Sequence, residues 1–104
     1  MKVVHCRREP YTVYIGRGSV FGNPFTHLPL ASTKAVVQVA SLEASIAAFE
    51  EWLDGRPKWR RVEPERRLRL LKALDELSPD DVLGCYCRPA HACHGDVIAA
   101  RRLK

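Results

Sequence analysis

Between residues 16 and 30 the chain carries Gly16, Gly18, Gly22, Pro24 and Pro29, a density of backbone breakers that neither a helix nor a central strand tolerates. The stretch predicts a long ordered loop, and long loops in small domains are often functional. It also splits the chain into two regimes. Before it, residues 2–6 and 11–15 are short runs rich in Val and Tyr, separated by Arg7-Arg8-Glu9-Pro10, so two strands around a tight connection are expected. After it the periodicity turns helical. Ser41 opens a helix whose Leu42, Ile46, Phe49 and Leu53 share one face, and Gly55 and Pro57 stop it. Pro64 suits the first turn of a second helix, with Leu70, Leu71, Leu74 and Leu77 facing the core and Arg66, Arg67 and Arg69 more exposed. Ser78-Pro79 ends it.

Residues 82–87 form a short apolar run between Pro79 and Pro89, which reads as a buried strand lying centrally in the sheet. A last helix is expected over about residues 94–103, with Asp96 in its first turn and Arg101 and Arg102 in its last, as the helix dipole prefers. The order strand, strand, loop, helix, helix, strand, helix predicts an α/β domain. Its expected form is a small mixed sheet of about three to four strands packed by about three helices, with a Rossmann-like crevice beyond the strand ends. At 104 residues, one domain over 1–104 is expected, and 46% apolar residues supply a modest core.

Every apolar run is broken by charge well short of the roughly 20 residues a membrane helix needs, so no membrane span is expected. Met1 to Cys6 meets Arg7 and Arg8 too soon for a signal peptide, which points to the cytoplasm. Seventeen basic against twelve acidic residues give a net charge of +5, favouring anionic partners in general.

Three of the four cysteines fall within Cys85-Tyr86-Cys87-Arg88-Pro89-Ala90-His91-Ala92-Cys93-His94-Gly95-Asp96. In a strand, Cys85 and Cys87 present both sulfurs to one face, and the following turn brings Cys93 and His94 back toward the strand end. One reading is metal: Cys85, Cys87 and Cys93 with His94 or His91 complete a tetrahedral zinc set, although the Cys-x-Cys spacing is not the usual Cys-x2-Cys knuckle. A second is chemistry at the start of a helix, where positive partial charge favours a thiolate and attracts anions. Cys87, Cys93, His94 and Asp96 are then catalytic candidates, Cys93 as nucleophile, His94 or His91 as acid/base and Asp96 as orienter. A plainer reading keeps Cys85 and Cys87 as small buried hydrophobes and Asp96 as a helix cap. The residues leave these open.

The Gly-rich loop offers Gly16 and Gly22 for close backbone approach, Arg17 for two-pronged contact with a carboxylate or phosphate, and Ser19 and Asn23 as hydrogen bonders. It lacks the Gly-Lys-Ser/Thr ending of a P-loop and the spaced glycines of the dinucleotide fingerprint. The competing reading is a turn-rich segment packing Phe21 and Phe25 on the core. His5 and His27 are lone histidines; His5 could reach the same crevice, but a satisfied core histidine is the simpler expectation.

Val13-Tyr14-Ile15-Gly16-Arg17 with Ser19 and Gly22-Asn23-Pro24-Phe25, paired with Cys85, Cys87, Pro89 and Cys93-His94-Gly95-Asp96, is similar to the domain-of-unknown-function family 4326 of phages and bacteria. The resemblance spans nearly the whole chain. It departs at Gly18, where the family pattern has proline, and in a longer turn before Cys93. It implies a shared site built from two motifs distant in sequence, and no particular reaction. The resulting expectation is a crevice binding an anionic, phosphorylated or nucleotide-like small molecule through Gly16, Arg17, Ser19, Gly22 and Asn23, with nucleoside or nucleotide transfer or hydrolysis beside the Cys/His turn. The alternative is a zinc-stabilised module in which the Arg-rich helix and Trp59 meet nucleic acid.

Overall fold

The computed structural model describes residues 1–86 and 92–103. In chain order the elements are β1 (Lys2–His5), β2 (Val13–Tyr14), β3 (Phe25–Thr26), β4 (Val37–Gln38), α1 (Leu42–Leu53), α2 (Pro64–Glu76), β5 (Val82–Cys85) and α3 (His94–Arg102), with single 3-10 turns at Leu30–Ser32 and Pro57–Trp59. The chain is a mixed α/β fold.

The expected single sheet is two sheets, both parallel. One has the order β1-β5-β2, and the other pairs β3 with β4. The two N-terminal strands therefore do not pair with each other: β5 lies between them, with Val4 and Tyr14 both opposite Gly84. Val82-Leu83-Gly84-Cys85 is the most buried of these strands, and the middle of a parallel sheet is where burial on both faces is greatest. The expected strand over 82–87 ends at Cys85 and Tyr86 is a bend; Cys87 lies outside the described residues.

The breaker-rich stretch is not a surface loop throughout. Residues 21–26 are buried, and the N–H groups of Val36 and Val37 both donate to Pro24 O, at 2.9 and 3.1 Å, drawing β4 alongside. Neither β3 nor β4 was expected from the sequence. Buried irregular backbone needs partners for its carbonyls, and here arginines supply them. Arg66, expected to be exposed on α2, turns its guanidinium inward to Val20 O (3.0 Å) and Gly22 O (2.7 Å). Arg67, expected likewise, donates to Trp52 O (2.8 Å) and Leu53 O (2.9 Å), completing the end of α1. Only Arg69 of the three is exposed.

α1 starts as its sequence predicts: the Ser41 hydroxyl accepts from Ala44 N at 3.0 Å, and the chain leaves the helix through Gly55 at φ 77°. Its Phe49, Trp52 and Leu53 enter the core with Leu70, Leu74 and Leu77, Ile15 and Leu83, and Val97 and Ile98 of α3, while Leu71 is half-buried. Gly95 lets α3 lie close on the sheet; a Cβ there would stand 2.7 Å from Ile15 Cδ1 and 2.9 Å from Val3 Cγ1. At its far end, Arg102 donates to Leu77 O at 2.5 Å and Arg101 pairs with Asp54.

Candidate functional site

In parallel sheets the strand carboxyl ends leave room beyond them. Here that room is a cavity of about 540 Å³, walled by the ends of β2, β3 and β5 and the first turns of α1 and α3. It is of small-molecule size. Gly16, Arg17 and Asn23 come from the Gly-rich stretch, and Cys85, Cys93 and His94 from the Cys/His segment. The two motifs meet at one place. Leu42, Ile46 and Leu28 give it an apolar wall, exposed Tyr86 and His27 stand at its rim, and Arg17 is its one permanently charged lining side chain among the described residues.

Cys93 is the N-cap of α3. Its sulfur accepts from Gly95 N at 3.4 Å, and its own N–H donates to Asp96 Oδ2 at 3.2 Å. Cys85 Sγ at 3.0 Å and His94 Nδ1 at 3.6 Å also reach the sulfur. On the other edge of the ring, His94 Nε2 lies 2.8 Å from Ile15 O. A carbonyl can only accept, so Nε2 carries the proton and, in the neutral ring, Nδ1 is an acceptor facing the Cys93 thiol. Burial pushes His94 below the ordinary histidine range, against the opposing pull of the Ile15 hydrogen bond, so the ring is neutral at pH 7. The result is a thiol, a base beside it and a carbonyl fixing the base's tautomer.

Asp96, expected among the catalytic groups, is exposed and caps α3 rather than lining the cavity. Cys87 and His91 lie outside the described residues. Of the expected metal ligands only Cys85, Cys93 and His94 are described, and among the described residues no group of three or more His, Cys, Asp or Glu side chains is placed to hold a metal ion. Thiolates sharing a zinc ion at about 2.3 Å stand roughly 3.8 Å apart in a tetrahedron, and Cys85 and Cys93 are closer than that.

The loop residues divide by role. Arg17 lines the cavity while donating to Asn23 O (3.3 Å) and Phe25 O (2.8 Å). Asn23 is a staple: Nδ2 donates to Ser45 Oγ at 2.9 Å and Oδ1 accepts from Phe25 N at 2.9 Å, tying the loop to α1. Ser19 donates to Gly16 O at 2.6 Å. With Gly22 it faces a smaller pocket of about 210 Å³ on the loop's other side, which Arg17 and Asn23 also reach, beside Lys34, Glu63 and Arg66.

Several lining residues were not singled out from sequence as site residues. Leu42 and Ile46 read as core on α1's apolar face and are half-buried because the cavity lies over them. Tyr14 and Tyr86 flank the opening edge to face, 6.2 Å between centroids. Burial, with Tyr86 nearby, holds the Tyr14 phenol above its ordinary range, so it keeps its proton. His27, one of the two lone histidines, is at the rim. The other, His5, is not a core histidine: it is half-buried, accepts from Arg7 N at 3.2 Å and packs edge-on to Tyr86. Only its aromatic and polar character was informative.

A family model for a domain of unknown function, DUF4326, matches residues 2–102. The chain belongs to that family. The match to DUF4326 takes in both motifs that wall the cavity, and the family description assigns no activity. No curated protein and no solved structure matches the chain significantly. No helix among the described residues is long and apolar enough to cross a membrane.

Proposed function

We propose that this DUF4326 protein binds a phosphorylated, nucleotide-like small molecule in the 540 Å³ cavity and acts on it through Cys93 and His94. The carrying observation is that two motifs some seventy residues apart line one cavity, with an activatable thiol on one side and a guanidinium on the other. With Arg17 as the charged wall and no lining carboxylate among the described residues, the electrostatics favour an anion. The first turns of α1 and α3 add the positive ends of two helix dipoles. Tyr14 and Tyr86 offer rings for a planar base. In this reading Arg17 holds the anionic end, Cys93 attacks at the reacting centre, and His94 Nδ1 takes the thiol proton, a transfer or hydrolysis at a nucleoside or nucleotide.

The test is equilibrium binding of nucleoside mono-, di- and triphosphates and ribose 5-phosphate to the intact chain and to Ile46→Trp, which fills the apolar wall without touching the loop's hydrogen bonds. Saturable binding that Ile46→Trp weakens at least tenfold supports the reading. No binding, or equal binding to both proteins, overturns it.

The zinc-stabilised nucleic-acid module has less behind it. Two of the arginines it needs, Arg66 and Arg67, are bonded to backbone carbonyls, and Trp59 packs on Phe25 with its indole N–H on Glu51 at 3.1 Å. About one zinc per purified chain, together with binding of DNA or RNA that falls steeply with salt, would restore it.

A further inference from the structure

The 3.0 Å between Cys85 Sγ and Cys93 Sγ is shorter than the roughly 3.5–4.0 Å optimum between carbon atoms, which are smaller than sulfur. A disulfide needs about 2.0 Å. The two sulfurs are thus about one ångström from bonding, and neither is in a disulfide. They sit on different elements, Cys85 ending β5 and Cys93 capping α3, so a bond between them would tie strand end to helix start.

The surroundings of Cys93 suit the attacking thiol of such a pair. Cys93 has a backbone N–H donor at its sulfur and a helix N-terminus behind it, which favour its thiolate, and the His94 Nδ1 acceptor beside it, which can take its proton. Both cysteines are buried but line the cavity, whose rim is exposed at Tyr86, His27 and Leu28, so a reagent has to enter the cavity to meet them.

We propose that Cys85 and Cys93 are a redox couple that exchanges with low-molecular-weight disulfides of the glutathione type. Cys93 gives its proton to His94 Nδ1 and attacks one sulfur of the disulfide; the S–S bond breaks and the leaving thiolate takes that proton. A mixed disulfide now stands on Cys93. Cys85 attacks Cys93 Sγ, the Cys85–Cys93 bond forms, and the second small thiol leaves with the Cys85 proton. Two protein thiols and one small disulfide become one protein disulfide and two small thiols, two electrons passing to the small molecule. The exchange also withdraws Cys93 from any other nucleophilic role, so the cavity's chemistry is available only in the reduced protein.

The experiment uses C6S/C87S, in which Cys85 and Cys93 are the remaining cysteines, treated with oxidised glutathione and followed by thiol titration and intact mass. Expected is loss of both thiols together with loss of two hydrogens, reversed by dithiothreitol. Adding Cys85→Ser should arrest the reaction at a stable glutathione adduct, and His94→Gln should slow its first step at least tenfold at pH 7. Should C6S/C87S fail to fold, fragment mapping of the oxidised natural chain decides by whether Cys85 is linked to Cys93 or to Cys87. Stable glutathionylation without the two-hydrogen loss overturns the couple. So does a linkage to Cys87, or thiols that react only after a chelator is added. None of these readouts depends on which ligand the cavity binds.

Discussion

His94 touches the Cys93 thiol with one ring nitrogen and a main-chain carbonyl with the other, and it does so buried. Its folded pKa therefore lies below the unfolded value of about 6.5. Below about pH 6.5 the unfolded chain takes up a proton that the folded chain resists. The stability this neutral ring confers is complete above about pH 6.5 and is lost as pH falls from there through the folded value. Urea unfolding between pH 5 and 8 should show a wild-type slope steeper on the acid side than that of His94→Gln, by up to about 1.4 kcal/mol per pH unit. Asn23 makes a second residue-level prediction. Both ends of its amide are used in a buried place, so Asn23→Ala strands Phe25 N and removes the donor that Ser45 accepts from, and should cost about 2–3 kcal/mol in chemical denaturation. Asn23 was legible in the sequence as a hydrogen bonder and not as a staple, since its chief partner, Ser45, lies on another element.

Among the elements, α1 was the most legible, because cap, periodic face and terminating glycine all point the same way. β3 and β4 were invisible for the opposite reason. Two-residue ladders carry no period, and what pairs them is long-range carbonyl acceptance by Pro24 and Thr26. The same blindness affected α2. Its arginines followed the polar side of a helical pattern, yet pattern alone cannot see that a buried loop nearby lacks donors for its carbonyls. Arg66→Met keeps much of the stem's packing and removes those donors, so hydrogen exchange over residues 16–26 should accelerate while α1 stays protected. At the opposite face, Gly95→Ala forces α3 away from Ile15 and Val3 and should lower stability by about 1–3 kcal/mol, measured as a shift in melting temperature. The candidate site was half legible: its reactive groups are of chemically marked types, whereas its apolar wall is made of leucine and isoleucine that look like any core.

For the molecule as a whole, the balance between core and cavity is the notable quantity. Phe49, Trp52, Leu53, Leu70 and Leu83 close the core on one side of the sheet's end, leaving Leu42 and Ile46 to border open space. Ile46→Trp should therefore leave melting temperature within a few degrees, in contrast to Leu70→Ala, whose side chain is fully buried and whose loss should cost about 2–5 kcal/mol. The strand order has a consequence in time. β1 and β2 leave the ribosome well before β5, the strand that joins them, and Cys93 and His94 follow even that. A nascent chain stopped after α2 has its helices and the small β3-β4 sheet, but not the three-stranded sheet that β5 completes. Sheet closure and assembly of the reactive thiol thus belong to the same late moment of synthesis, so the cell meets either a finished site or none.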